Sequence, residues 1–474
     1  MRKNVWSIAV AVTLLILLTA LTGCPNDSDP EKHTVRNRSG SATRLTGGPT
    51  GTGTAVTVKS ASDYETEYPD VYKTYQANSK NFENYNYPDK YTFLQTVYQG
   101  MAFSFSYNSA RGHVFSLDDL YTTGRPHAGA NCFACKTPDF HALVNQHGYG
   151  QYNVTFPPPD GSPPVYGPNA VYSGTGMKNN ITNPISCFNC HGTSPANKNI
   201  TVTHQYLSEA LPLNEFNSVS KGTIACAQCH VEYYFGTAGE DPKNGNVILP
   251  YTKLAEMHPD SILDYYNDSA IKVTGNTGNA EFLNGDMFAD YLNPRTGVRQ
   301  IKIQHPEFET QNGTGNRHGI NGSETLYACA DCHMPSKKGS DGNLFASHEW
   351  GSPLKNDALI RGECAACHTG NTKLPKYVED LQKAIHDRAE NIGKAIETFT
   401  NSFATKLNAS GPTDTKLQDT AYATVRQLAR EAQFYWDFVW VENSNGAHNS
   451  KLSKYCLDKA EELLADANTE LGKL

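Results

Sequence analysis

Ten of the chain's twelve cysteines form five Cys-x-x-Cys pairs: Cys132/Cys135, Cys187/Cys190, Cys226/Cys229, Cys329/Cys332 and Cys364/Cys367. Four pairs are followed directly by histidine, at His191, His230, His333 and His368, whereas the first is followed by Lys136. Two thiols at this spacing with an imidazole beside the second form the attachment pattern of haem c: the sulfurs bond the porphyrin covalently and the imidazole ligates its iron. Zinc ribbons and disulfides draw on the same residues. A ribbon, however, closes two Cys-x-x-Cys units over a short gap, while here tens of residues separate the pairs and histidine recurs at one fixed place. The motifs predict five c-type haems.

Lys136 is the chemical exception. An ammonium cannot bind iron, and removing its proton at pH 7 costs roughly 4–5 kcal/mol from an unperturbed pKa near ~10.4. Burial and metal ligation both favour the deprotonated amine. A ligand that costly to prepare implies a function beyond scaffolding. The amine donates a σ pair only. We therefore expect Lys136 to hold the proximal side of its iron and leave the distal side open to a substrate, the alternative being a degenerate attachment site with a solvated lysine.

A haem that only carries electrons closes its second axial position with another side chain, often histidine. Sixteen histidines are available. Four belong to the motifs, and closing four more irons requires four of the rest. His113 (RGHVF), His318 (NRHGI), His348 (ASHEW) and His448 (NGAHN) are candidates, but spacing alone does not separate them from His33, His127, His141, His147, His204, His258 or His386.

Several kinds of segment must hold these residues. From about 61 to 370 the chain is rich in Tyr, Gly, Pro and Asn, with short helical pieces at the motifs and long loops such as 151–175. After Gly370, Val378, Leu381, Ile385, Ile392, Ile396, Phe399, Phe403 and Leu407 keep helical period. Ser410-Gly411-Pro412 breaks that run, Thr415 to about Glu442 resumes it, and a third stripe carries Leu452, Cys456, Leu463, Ala467 and Leu471. Cys456 reads as a buried thiol acting as a small hydrophobe. The expected class is mainly α, a multihaem cytochrome c fold with few short strands, long loops and long C-terminal helices. Residues 371–474 form a helical part that covers the haem body or enters a homodimer contact.

Only 38% of residues are apolar and mean hydropathy is −0.54, lean for a large core. Five porphyrins would supply the missing apolar surface. Charged residues are 19%, which does not suggest disorder, and a net charge of −8 argues against a nucleic-acid partner. The start has a charged n-region (Arg2, Lys3) and an apolar run to Leu21, ending Leu21-Thr22-Gly23-Cys24. Residues 1–23 read as a lipoprotein-type export signal, with Cys24 the lipidated N-terminus. An ordinary signal cleaved nearby would leave Cys24 incidental. The apolar run is at the short end for a permanent span. Residues 24–60, rich in Ser, Thr, Gly, Pro and Asn, read as a flexible tether reaching roughly 30–36 Å, and 61–474 as the catalytic domain. The expected location is the bacterial periplasm.

In order, CFACKTPD, CFNCH, CAQCHVEYYF, KIQHPEFE, CADCHMP and CAACH resemble the pentahaem cytochrome c nitrite reductases, the ammonia-forming family, across nearly all of the mature body. The resemblance implies that nitrite binds the open iron of the lysine-ligated haem, beside Arg125 (in TTGRPH), Tyr233 (first tyrosine of CHVEYYF) and His305 (KIQHPEFE). It assigns His348 to the second haem in chain order, His113 to the third, His448 to the fourth and His318 to the fifth. It implies a calcium ligated by Glu232, the carbonyls of Tyr233 and Lys302, and Gln304, a set of oxygen donors suited to a hard cation. The long segment between Phe235 and Asp260, and the closeness of Arg295 and Arg299 to Lys302, leave open an arginine side chain in place of calcium. Family precedent implies a quinol-oxidising membrane multihaem cytochrome or a small soluble cytochrome as electron donor.

The residue types suit the task. Arginine and histidine supply donors and positive potential to an oxyanion, histidine can shuttle protons, and a tyrosine hydroxyl can turn its donor direction. Two other functions use the same motifs: a multihaem electron carrier with every iron six-coordinate, and an enzyme acting on hydroxylamine or sulfite.

Overall fold

The computed structural model describes Thr43–Arg44 and residues 52–80, 83–101, 107–122, 133–147, 181–193, 195, 200–202, 206–235, 247–268, 290–313, 316, 318, 320–321, 324–325, 327–366, 368 and 373–474. Arg125, Cys132, Cys367, the export signal with Cys24, and most of the expected tether lie outside the described residues.

The chain is mainly helical, as expected from sequence. Short helices carry the motif regions: α1 (Pro138–His147), α2 (Cys187–His191), α3 (Lys221–Ala227), α4 (Glu307–Asn312) and α5 (Cys329–His333). The strands are two or three residues long. The pair that matters for the site is antiparallel, β1 (Asp290–Leu292) against β2 (Arg299–Ile301), with Tyr291 opposite Gln300. Thr43–Arg44 pairs in parallel with Thr201–Val202, and the Thr52 amide donates to the Asn145 carbonyl, so parts of segment 24–60 already touch the body.

Three long helices follow: α6 (Leu374–Leu407), α7 (Ala423–Trp440) and α8 (Ser450–Lys473). Helix α6 buries Ile385, Ile392, Ile396, Phe399, Phe403 and Leu407, the face read from periodicity, whereas Val378 and Leu381 in its first turns stay partly exposed. Asn408 ends it in the left-handed conformation (φ 47°), which asparagine tolerates better than most residues.

The second helix begins later than the sequence suggested. Asp414 accepts from the Lys416 amide and Asp419 from the Ala421 amide, so two short 3₁₀ turns precede Ala423. Short acidic side chains that bond nearby amides compete with continuous helix. In α8 the buried stripe runs through Leu452, Cys456, Ala460, Leu464, Ala467 and Leu471; Leu464 takes the core position expected of Leu463, which is half-buried. Cys456 is fully buried, as expected.

Two close approaches fix the packing, one between a long helix and the haem-motif body and one within that body. Gly393 of α6 lies against the Phe93 ring, where a Cβ would come within 2.3 Å. Gly222 of α3 faces Ala330 of α5, where a Cβ would come within 2.9 Å. The second contact draws the third and fourth cysteine motifs together. Among the described residues, no helix is long and apolar enough to cross a membrane.

Candidate haem sites and substrate pocket

A Cys-x-x-Cys-His sequence wound into one helical turn sets both sulfurs and the imidazole toward one side. Helices α2 and α5 are such single turns. In the third and fifth motifs the same turn is closed by the His230 amide donating to the Cys226 carbonyl (3.0 Å) and the His368 amide to the Cys364 carbonyl (2.8 Å). Ser186 and Asn189 brace the start of α2, where the Ser186 amide donates to the Asn189 carboxamide (3.0 Å).

Nine described cysteines stand as thiols rather than disulfides, eight of them half-buried in the motifs. Cys329 and Cys332, assigned by sequence to the fourth haem, sit three residues apart on α5, both half-buried. No disulfide joins them, so both sulfurs are in the thiol form that porphyrin attachment consumes. Cys332 directly precedes His333, while Cys329 turns toward the third motif. Sulfurs of different motifs neighbour one another: Cys135 lies beside Cys229, and Cys226 beside Cys329. The Cys190 thiol faces the Ala225 carbonyl (3.8 Å). The third motif therefore adjoins the first, second and fourth.

Each motif histidine faces one of the four candidate distal histidines. Ring centres are 6.3 Å apart for His191 and His348, 6.4 Å for His230 and His113, 6.1 Å for His333 and His448, and 6.1 Å for His368 and His318. With a metal–imidazole bond of ~2 Å and a ring nitrogen about 1.1 Å from its ring centre, two imidazoles on one metal sit roughly 6 Å apart, centre to centre. His230 also has the His305 ring at 6.1 Å, so ring spacing by itself does not choose between His113 and His305 as its partner, and His113 is the one that the family resemblance implies.

Hydrogen bonds orient several of these rings for ligation. Nδ1 of His348 donates to the Ala346 carbonyl (2.9 Å), Nδ1 of His333 to the Gly351 carbonyl (3.1 Å), and Nδ1 of His448 to Glu442 (2.7 Å). A ligating histidine commonly gives its second nitrogen to a carbonyl or carboxylate, which fixes the tautomer and frees Nε2 for the metal. His230 faces Glu307 at 3.8 Å, while the buried Nδ1 of His113 has no hydrogen-bond partner. Turn geometry, imidazole spacing and outer-shell bonds all fit haem.

The histidines that spacing left open have other work where described. Nε2 of His141 bonds the Ala134 carbonyl (2.7 Å), His258 caps a helix by accepting from the Asp260 amide, and His386 contacts Tyr91 and stacks on Trp440. His33, His127, His204 and the His147 side chain lie outside the described residues.

Lys136 directly follows the first motif. Its amide donates to the Phe133 carbonyl and its carbonyl accepts from the Ser116 hydroxyl (2.7 Å). His305, His113 and Cys229 all lie within electrostatic reach of Lys136, so the first motif, the third motif and the KIQHPEFE segment share one neighbourhood.

Segments 230–233 and 304–309 are laced together at three points. The Gln304 amide donates to Glu232 (2.6 Å), the Phe308 amide to the His230 carbonyl (3.1 Å), and the Glu232 amide to Glu309 (3.0 Å). This lacing brings Tyr233 and His305 to the same place. Burial pushes the His305 imidazole down to about 4, with the charges of His230, Lys136 and Lys302 adding to the effect and Glu307 opposing it. The ring is therefore neutral near pH 7, whereas charge from Arg125 and His305 together was expected.

Two glutamates of the same motif escaped the sequence analysis. Burial opposes ionisation of Glu307, yet the His230 hydrogen bond and charge hold it down to about 2. Glu309 is fully buried, accepts from Tyr251 (2.7 Å) and the Glu232 amide, and leaves Oε2 without a hydrogen-bond partner. Burial raises it to about 8. Spacing offered a signal: Glu307 and Glu309 follow His305 by two and four residues at a helix start.

The raised pKa of Glu309 makes stability depend on pH. The folded chain favours the acid form, whereas the unfolded chain ionises from ~4.3 upward. The stabilisation is complete below that value and is lost as pH rises toward 8. Glu309→Gln, which keeps a neutral group there, should gain on the wild type by about 1.4 kcal/mol per pH unit across that window. Unfolding of both holoproteins between pH 5 and 9 measures it, and a pH-independent difference would refute it.

The expected cation ligands also converge. Glu232 is fully buried, with Oε2 on the Gln304 amide and Oε1 accepting from Tyr266 (2.7 Å); burial raises its pKa well above the usual carboxylate range. Nε2 of Gln304 donates to the Lys302 carbonyl (3.2 Å). A buried carboxylate, a backbone carbonyl and a carboxamide in one place suit an oxygen-seeking cation. Arg295 is turned away, its guanidinium donating to Asn401 of α6 (2.8 Å).

A mainly helical chain with several cysteine motifs on single helical turns, and imidazoles paired at metal-bridging distance, defines a multihaem c-type cytochrome. The family model described as cytochrome c552 matches residues 60–474. The chain belongs to that family, the cytochrome c nitrite reductases, and is an enzyme of that kind. The catalytic subunit of cytochrome c nitrite reductase from Desulfovibrio desulfuricans ATCC 27774, which has two calcium sites, is 25% identical. That alignment covers 87% of this chain and 86% of that one, with a TM-score of 0.67. The outer cell wall cytochrome OcwA covers 86% of this chain and 99% of its own at 15% identity, with a TM-score of 0.24 too low to bear on the fold.

Proposed function

We propose that the chain reduces nitrite to ammonium in a six-electron, dissimilatory reaction at a c-type haem ligated by Lys136, with four bis-histidine haems as the electron relay. The observation that carries this reading is the set of four imidazole pairs, 6.1–6.4 Å between ring centres. With His113 as the partner of His230, those pairs take up every histidine motif, leaving His305 and the lysine motif for substrate. Haem iron supplies the binding position and the electrons; the side chains supply the rest.

The Lys136 amine, once deprotonated, would offer its lone pair to the iron. Arg125 holds the nitrite charge. Tyr233 donates or accepts at oxygen by turning its hydroxyl. His305, kept neutral by burial, can accept and return a proton at its ring nitrogens. Glu309 keeps a carboxylic proton to about 8 within the segment laced to Tyr233 and His305. Glu232, Gln304 and the carbonyls of Tyr233 and Lys302 would hold a calcium bracing the pocket wall; the Desulfovibrio enzyme's calcium sites support this.

We further propose that the enzyme works in the periplasm on a lipid anchor at Cys24, as a homodimer contacting through residues 371–474. Its electrons come from a quinol-oxidising membrane multihaem cytochrome or a small soluble cytochrome. An assay of purified holoprotein with reduced viologen tests the catalytic reading. Each nitrite should give one ammonium for six electrons, and the oxidised protein should show one high-spin haem that nitrite perturbs. Five low-spin, unresponsive haems would favour an electron carrier; higher turnover on hydroxylamine or sulfite would reassign the substrate.

A further inference from the structure

Arg430, Gln433 and Asp437 lie on one face of α7 at steps of three and four, and all three are buried. Each bonds the backbone of the strand that leads into the pocket. Nη1 of Arg430 donates to the Arg299 carbonyl (2.9 Å). Gln433 accepts from the Ile301 amide (2.9 Å) and donates to the Ile301 carbonyl (2.7 Å), as a neighbouring strand would. Asp437 accepts from the Ile303 amide (2.9 Å) and the Lys302 ammonium (3.1 Å). From Gln433 to Asp437 four helix residues rise ~6 Å and from 301 to 303 two strand residues rise ~6.6 Å, so these two contacts match in spacing, while the longer Arg430 side chain spans the offset to residue 299.

We propose that this stripe of α7 is a positioning device for the substrate pocket, setting the register of residues 299–305. The inference rests on the proposed function, because it gives Gln433 and Asp437 a role through His305 and the cation ligands. In a strand, alternate residues turn their peptide groups to opposite edges. Residues 299, 301 and 303 face α7. Residue 300 faces β1, and Lys302 therefore turns its carbonyl to the far edge, where it receives Gln304 Nε2. The Lys302 side chain is pinned separately by Asp437 and by the Ile303 carbonyl (2.6 Å). A slip of one residue would turn the Lys302 carbonyl toward α7 and move His305 by a strand step.

The test compares wild type with Gln433→Met and Asp437→Asn as holoproteins. Gln433→Met removes both bonds to Ile301 at similar volume. Asp437→Asn keeps an acceptor for the Ile303 amide and removes the charge holding Lys302, so it remains informative should the first variant not fold. Amide hydrogen exchange over residues 301–305 should accelerate in Gln433→Met. Calcium affinity should fall about 10–100-fold, as for an outer-shell ligand support. Turnover should lose kcat more than KM, with the low-spin haem spectrum unchanged. Asp437→Asn should show the calcium loss in milder form. A fall in melting temperature alone, with exchange at 301–305, calcium affinity and kcat unchanged, would overturn the proposal. If wild type turned over no nitrite, the proposed function would fall, while exchange and calcium affinity would still decide the role of α7.

Discussion

Lys136→Ala should leave a protein that carries its haems but reduces nitrite about 100-fold more slowly or worse, a loss at least as large as that from removing an outer-shell support. The cysteines, not the lysine, make the covalent bonds to the porphyrin, so attachment survives. What is lost is the proximal donor. Lys136→His separates the two parts of that claim: an imidazole restores a strong ligand, but one with π interaction. If turnover in Lys136→His equals wild type, the amine is dispensable. If Lys136→Ala alone retains activity, some other group serves the iron. Neither variant should disturb the four imidazole pairs, so the low-spin signals are the internal control.

Converting Cys226 and Cys229 to serine should produce the second large effect, a protein lacking one haem and without nitrite turnover. The reason is spatial. Cys229 adjoins Cys135, Cys226 adjoins Cys329, and Cys190 faces the carbonyl of Ala225. The third motif is thus where sites from three directions meet, and the proposed relay runs through it. The donor should still reduce the remaining bis-histidine haems, visible in the low-spin absorption, while ammonium formation stops. Undiminished turnover would show that electrons reach Lys136 by a route avoiding the third site. Mass spectrometry of the holoprotein counts the haems independently.

The relation between sequence and structure differs from one part of the molecule to the next. The attachment turns were legible because their chemistry is local: two thiols and an imidazole within five residues, as in Cys329, Cys332 and His333, must share a helical turn. The long C-terminal helices were legible for the same reason, since apolar period is a property of contiguous sequence. Their edges were not, because Asp414 and Asp419 bond their own neighbourhoods and delay the second helix to Ala423.

Spacing could not choose His348 over His141, since both lie where the chain offers a histidine and nothing nearby decides. Tertiary structure decided it by bringing His348 opposite His191 across 157 positions of chain and by occupying His141 with the Ala134 carbonyl. Glu309 is marked only by its spacing from His305, and the Arg430, Gln433 and Asp437 stripe carries no local mark of function. Their roles arise from what burial does to a lone carboxyl and from how a helix face meets a strand. The sequence by itself determined which atoms can hold iron. Only the packing of distant segments determined which of them meet, because ligation and acidity depend on distances and dielectric surroundings that no short stretch of chain contains.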